Sequence, residues 1–191
     1  MNTIVITTSR NSSIRMRQFL NELEPAIPNA IKVNRGKLSI TELAGKALSM
    51  GATRIIYFGS RGGNPGFIRF LRIKEGLIEV LPYFIRILGV KLFIDMNVRV
   101  EVTKKSSSGV IVSLGGYTEV ADVLSEQLGL PSLKVFDFES IRGMYDTILL
   151  IRRVQAGYEV QILNGRDLGP YGPFMRISDI IYTKPRVIRI E

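Results

Sequence analysis

Thr3-Ile4-Val5-Ile6-Thr7-Thr8, then Ser9-Arg10-Asn11-Ser12-Ser13, then Ile14-Arg15-Met16-Arg17-Gln18-Phe19-Leu20-Asn21-Glu22-Leu23, is the stretch that decides the fold. Its first six residues are all β-branched, which predicts a short strand buried on both faces. Ser12 or Ser13 can cap a helix. Met16, Phe19, Leu20 and Leu23 then recur at helical spacing until Pro25 and Pro28 end it. Arg15 and Arg17 fall off that apolar stripe.

Outward from this unit, residues 30–33 read as a second strand and Asn34-Arg35-Gly36-Lys37 as a basic loop. Ser39-Ile40-Thr41-Glu42 is a capping box opening a helix that carries Leu43, Ala47 and Leu48 and stops at Gly51. Residues 54–58 make a third strand. A β-α-β-α-β order predicts a parallel or mixed sheet covered by helices. Residues 59–66 (Gly-Ser-Arg-Gly-Gly-Asn-Pro-Gly) have the composition of a loop. Segments 67–74, 77–81 and 84–88 read as strands of a meander.

Lys104-Lys105-Ser106-Ser107-Ser108 has the composition of a linker. Beyond it the chain echoes its own beginning. Residues 110–114 match the first strand and 117–128 the first helix, and Pro131 with Leu133-Lys134-Val135 matches Pro28 with Ile31-Lys32-Val33. Two unrelated strand-helix-strand units remain the alternative to a duplication. Strands follow at 147–154, 158–163 and 174–177, with turns at Ala156-Gly157 and Asn164-Gly165. The expectation is an α/β fold of two similar halves, 1–103 and 109–191, joined by 104–108 and packed together as one domain spanning 1–191.

Composition narrows the function. The 191 residues are 46% hydrophobic, enough for a buried core. Lys and Arg number 26 against 17 Asp and Glu, a formal net charge of +9, which suits a polyanionic partner. Residues 1–72 hold 11 of those bases and 3 of those acids, so the positive charge is concentrated in the N-terminal part. Cys and His are both absent, which removes thiolate nucleophiles, Cys-ligated metals and the commonest general base. The most hydrophobic stretch, 77–90, is broken by Glu79, Pro82 and Arg86, so no membrane span is expected. Asn2-Thr3-Ile4-Val5-Ile6 lacks the basic start and long apolar core of a secretion signal. A soluble, cytoplasmic protein is the expectation.

The glycine-rich segment 59–66 fails as a phosphate loop. No Lys-Ser/Thr follows it, its spacing is not Gly-x-Gly-x-x-Gly, and a strand rather than a helix comes next. Glu22/Glu24 and Asp137/Glu139 read as isolated or exposed carboxylates without a metal-ligand pattern. No catalytic residue, metal or cofactor is therefore expected. The basic junction is different in kind. Ser9, Arg10, Ser12, Arg15 and Arg17 surround a helix N-terminus, where free N–H groups, hydroxyls and guanidiniums can all address phosphate. Asn34, Arg35 and Lys37 follow the second strand, and Arg61 and Asn64 follow the third. In a parallel sheet those positions share the carboxyl edge, the usual ligand side. Phe67-Ile68-Arg69-Phe70-Leu71-Arg72 interleaves aromatics with charge, a pattern on which bases could stack, but Phe67 and Phe70 are expected in the core instead.

The residues Ile6-Thr7-Thr8-Ser9-Arg10-Asn11-Ser12-Ser13-Ile14-Arg15 resemble the Thr-Ser-Arg-x-Pro-Ser-x-Arg opening of Brix-domain proteins. Asn34-Arg35-Gly36-Lys37 with Leu43 is similar to the segment that follows in archaeal members, and Gly169-Pro170 through Arg176-Ile177 resembles the family's closing motif. Ser12 replaces the motif's Pro, Glu79-Val80-Leu81-Pro82 stands where a Gly-Pro-Thr is usual, and Tyr171-Gly172-Pro173 looks inserted. The resemblance implies two α/β halves related to the anticodon-binding domain of class II aminoacyl-tRNA synthetases. It also implies a non-enzymatic role in binding precursor rRNA during ribosome biogenesis, in a minimal archaeal member. Precursor rRNA is then the expected partner, with ribosomal or other assembly proteins besides, and no small-molecule substrate. Arg10, Arg15, Arg17, Arg35, Lys37 and Arg61 would contact phosphates and Asn64 a base or sugar. Two other readings stand beside this one: a nucleotide- or small-molecule-binding α/β enzyme using 59–66, and a protein-binding assembly scaffold.

Overall fold

The computed structural model describes residues 3–100, 104–135 and 137–190. The outer limits of the expected halves, at 1–2, 101–103 and 191, lie outside the described residues. β1 (Thr3–Thr8) lies between β2 (Ala30–Lys32) and β3 (Ala52–Arg61), parallel to both. α1 (Ile14–Leu23) connects β1 to β2, and α2 (Ile40–Ser49) connects β2 to β3. The chain then turns back on itself through β4 (Asn64–Lys74) and β5 (Leu77–Lys91), both antiparallel.

A second run follows. β6 (Gly109–Leu114) is parallel to β7 (Ser132–Lys134) and β8 (Thr147–Val154), with α3 (Glu119–Leu128) between β6 and β7. β9 (Gly157–Asn164) and β10 (Phe174–Tyr182) return antiparallel. Pairing of β10 with β5 joins everything into one mixed sheet in the order β2-β1-β3-β4-β5-β10-β9-β8-β6-β7, and β11 (Arg186–Arg189) adds to β5 beyond β10.

Helices cover both faces because β1, like β6, has no polar face to leave in water. α1 supplies Met16, Phe19 and Leu20, and α3 supplies Val120, Ala121 and Leu124, to one core that also holds Ile6, Phe58, Phe70, Ile85, Ile111 and Val160. α2 packs on the opposite face, setting Leu43, Ala44 and Ala47 against Val5, Ile55, Leu71 and Ile73. Caps start the helices where the sequence places them. The Ser13 Oγ accepts from the Met16 N–H at 3.1 Å, and Ser39 with Glu42 forms the complete capping box.

Several expectations are corrected. Residues 59–66 are not a loop: β3 runs to Arg61, β4 begins at Asn64, and only Gly62 and Gly63 turn, with φ of 58° and 79°. Two successive residues at positive φ are what a tight two-residue hairpin requires. Gly59 and Gly66 serve close packing, since a Cβ on Gly59 would meet the Phe67 ring at 1.9 Å and one on Gly66 the Arg61 Cβ at 2.6 Å. The strands expected at 77–81 and 84–88 are one strand, carried through Pro82 by an irregularity where Arg69 pairs with Phe84 and Leu71 with Val80.

The segment 104–108 is pinned. The Ser106 N–H donates to the Pro25 carbonyl at 2.8 Å, and the Asp146 carboxylate accepts from the Ser107 N–H, the Ser107 hydroxyl and the Ser108 N–H. Glu22 and Glu24 are not isolated surface charges either. Glu22 is buried and accepts from the Phe93 N–H at 3.0 Å, while Glu24 takes the Lys32 N–H and the Lys105 ammonium. Phe67 leaves the expected core. It lies three residues from fully buried Phe70, and odd spacing along a strand puts two side chains on opposite faces.

Candidate nucleic-acid interface

Because β1, β2 and β3 are parallel, the loops that follow them leave from one edge of the sheet. Hydrogen bonds tie those loops together. The Ser13 hydroxyl donates to the Gly63 carbonyl at 2.5 Å, fixing the start of α1 to the β3–β4 hairpin tip. The Nε atoms of Arg10 and Arg35 both donate to the Leu38 carbonyl, at 3.4 and 3.1 Å, fixing the first loop to the second. Beneath them the Thr7 hydroxyl donates to the Val33 carbonyl at 2.7 Å.

At this edge Arg10, Lys37, Arg61 and Asn64 are exposed, Ser9, Ser12 and Arg35 are half-buried, and Arg17 is exposed one turn into α1. Asn64 donates to the Gly62 carbonyl at 3.4 Å, closing the hairpin tip. Arg15 departs from the group. Its guanidinium grips Asp95 at 2.5 and 3.3 Å and reaches the Val90 carbonyl, so it fastens α1 to the end of β5. Hydrogen bonding from Arg15, then from the Leu92 N–H, holds the Asp95 carboxyl below the usual carboxylate range. Glu42, in the first turn of α2, is held by the Ser39 backbone and side chain, which lowers its pKa. No Asp or Glu occurs from residue 43 to residue 74.

Guanidiniums, an ammonium, hydroxyls and a helix N-terminus thus face solvent together, with the competing acids occupied. Such an edge can bind successive phosphates of a polyanion. Among the described residues no three carboxylates gather as a metal site, and no helix is long and apolar enough to cross a membrane.

A second group was visible in the sequence only at Phe67 and Arg69, and its Tyr57 and Phe84 members were missed. On the sheet face that α2 only partly covers, Tyr57, Phe67 and Phe84 neighbour one another across β3, β4 and β5, with Arg69 beside them. The alternation Phe67-x-Arg69-x-Leu71 was the available signal for one strand of it. The pairing of that strand with Tyr57 and Phe84 is long-range and has no local signature.

Comparison with known proteins places this architecture. No family model matches the chain. Over 179 residues it is 35% identical to a protein of Pyrobaculum aerophilum named "Probable Brix domain-containing ribosomal biogenesis protein", covering 94% of this chain and 95% of that one. The chain belongs to the Brix-domain family. A Brix-domain protein of Saccharolobus solfataricus with the same name is 38% identical over 107 residues, 55% of this chain and 60% of that one. The crystal structure of a probable ribosomal biogenesis protein from Aeropyrum pernix superposes with a TM-score of 0.73 at 24% identity, covering 94% of this chain and 97% of that one. An archaeal Imp4-like protein, Mil, superposes with a TM-score of 0.63 at 22% identity, covering 93% and 99%. These two share the Brix fold seen here, a large mixed sheet with helices on its faces.

Proposed function

We propose that this Brix-domain protein is a non-enzymatic RNA-binding factor of ribosome biogenesis, acting in the cytoplasm on precursor rRNA together with other assembly proteins. The joining of the three loops at the carboxyl edge of β1–β3 carries the reading. Arg10, Lys37 and Arg61 come from separate segments, yet the Arg10–Leu38 and Ser13–Gly63 hydrogen bonds hold those segments side by side. A rigid row of cations is what sequence-independent gripping of a phosphate backbone needs. Ser9, Ser12 and the α1 N-terminus add neutral donors, and Asn64 is placed to reach a sugar or base. Arg15 acts by holding the row in place. Relatives of the family carry ribosomal biogenesis in their names, which supplies the process. The strand orders β2-β1-β3-β4-β5 and β7-β6-β8-β9-β10 correspond, and they support reading the chain as two duplicated halves that meet where β5 pairs with β10.

Ultraviolet cross-linking to precursor rRNA, followed by peptide mapping, tests the assignment. Cross-links within 9–17, 34–38 and 61–64 are expected. Cross-links confined to the second run of strands would move the site there, and nuclease-resistant protein complexes without cross-links would favour a scaffold.

A further inference from the structure

The phosphate edge accounts for charge but not for the aromatic face beside it. The register of β3, β4 and β5 builds that face as a checkerboard. Tyr57 pairs with Arg69, and Arg69 with Phe84; one row along, Gly59 pairs with Phe67, and Phe67 with Arg86. All these residues share one face because their strands alternate in phase. The opposite face takes Ile56, Phe58, Ile68, Phe70 and Ile85 into the core beneath α1 and α3.

The rings form a continuous row. Tyr57 and Phe67 have centroids 6.0 Å apart, and Phe67 meets Phe84 edge-on at 6.4 Å. Cations lie over them: Arg69 sits 5.0 Å from the Phe84 centroid and 5.9 Å from that of Phe67, and Arg35 sits 6.0 Å from Tyr57. Gly59 is required for this arrangement, since any side chain there would occupy the space of the Phe67 ring. Two open concavities flank the row. One holds Arg35, Tyr57 and Arg69 with Lys184 and Arg186; the other holds Arg61, Asn64 and Arg86 with Leu88, which is 52% exposed. No residue lining either concavity is acidic.

A half-buried aromatic row on a sheet could simply be surface packing, with arginines lying over rings to shield them. Packing alone does not account for a carboxylate-free rim of five arginines and a lysine, nor for continuity with the phosphate edge through Arg35, Arg61 and Asn64. Rings and guanidinium planes on one face are the two surfaces on which unpaired bases stack, and neighbouring cations then follow the backbone. A duplex cannot use such a face, because its bases are stacked on each other.

We propose that the open face of β3–β5, with Tyr57, Phe67 and Phe84 set among Arg35, Arg69 and Arg86, is a stacking surface for unpaired bases of single-stranded RNA. This rests on the reading of the protein as RNA-binding and names the form of RNA that it takes. The edge holds phosphates and the face holds bases of the same strand. The ligand is then a loop, bulge or unfolded segment of rRNA.

The test uses the full chain, a labelled single-stranded RNA of about 12 nucleotides, and the same RNA paired with its complement. Tyr57→Leu and Phe84→Leu keep apolar bulk but remove a ring. Each is expected to weaken single-strand binding about 5- to 100-fold while leaving the salt dependence unchanged, as loss of one stacked base should. Phe84→Trp adds the only tryptophan in a chain that otherwise has none. Its emission should be quenched by the single strand and not by the duplex, with affinity retained. That readout decides the matter if a leucine variant unfolds. If both leucine variants bind the single strand as the wild type does, while loss of Arg10 and Lys37 still weakens binding, the stacking surface is refuted and the phosphate edge stands. Equal quenching by single strand and duplex also refutes it. If the wild type binds neither RNA, the RNA-binding reading itself falls.

Discussion

Ser13→Ala is the perturbation that separates a joined edge from three independent loops. One hydroxyl makes two contacts there, accepting from the Met16 N–H at 3.1 Å and donating to the Gly63 carbonyl at 2.5 Å. Loss of an N-cap costs about 1 kcal/mol, and loss of a hydrogen bond between segments 50 residues apart costs about 1 kcal/mol more. For a domain of this size the resulting loss of about 2 kcal/mol lowers Tm by roughly 4–8 °C. Ser12→Ala, one residue away and without either contact, should stay within about 0.5 kcal/mol of wild type. Thermal unfolding followed by circular dichroism reads both variants. Amide hydrogen exchange should also show faster opening at 62–64 in Ser13→Ala alone. Equal stability losses in the two variants, or unchanged exchange at the hairpin tip, would refute the claim that Ser13 joins α1 to β3–β4.

Three further outcomes follow from the same structure. Gly59→Ala forces a methyl into the Phe67 ring, so it should cost about 1–3 kcal/mol by overpacking and disturb the aromatic face, read by denaturant unfolding. Asp146→Ala removes the acceptor shared by the exposed Ser107 and half-buried Ser108, whose donors water can then reach, so a loss of about 0.5–1.5 kcal/mol is expected. The same hydrogen bonds, led by that of the Ser107 side chain, lower the Asp146 pKa; its contribution is therefore present above the ordinary carboxylate pKa of about 3.9 and fades as pH falls through the lower folded value. Burial raises the Glu22 pKa, so its contribution runs the other way and declines as pH rises above the ordinary value of about 4.3. Glu22→Gln should accordingly gain stability relative to wild type between pH 4 and pH 7 in urea titrations, and an unchanged difference across that range would contradict it.

The features that could be read from sequence were those set by local rules. A β-branched run, a serine cap and an i, i+3, i+4, i+7 stripe fixed β1 and α1 within a residue or two, and the Ser39–Glu42 box did the same for α2. The parallel order of β1, β2 and β3 followed, and with it the edge on which Arg10, Lys37 and Arg61 meet. What escaped depends on partners far along the chain. The composition of 59–66 signals glycine but not that two glycines turn while two others make room for Phe67 and Arg61. Arg15 looked like its neighbour Arg17 until Asp95, 80 residues away, took its guanidinium. Glu22 and Glu24 read as surface charge because Phe93 and Lys105 hold them from outside any local window. β11 was invisible because its few apolar residues gain a partner only from the exposed edge of β5.

The most direct test of the phosphate edge is the salt dependence of binding to precursor rRNA fragments. Wild type is measured beside a variant with Arg10, Lys37 and Arg61 changed to Ala, with Arg15 left alone because it is committed to Asp95. The variant should bind more weakly, with a slope of log K against log salt reduced by roughly 0.7 to 0.9 for each phosphate contact removed. A variant that binds with wild-type affinity and slope would show that the phosphates are held elsewhere on the molecule.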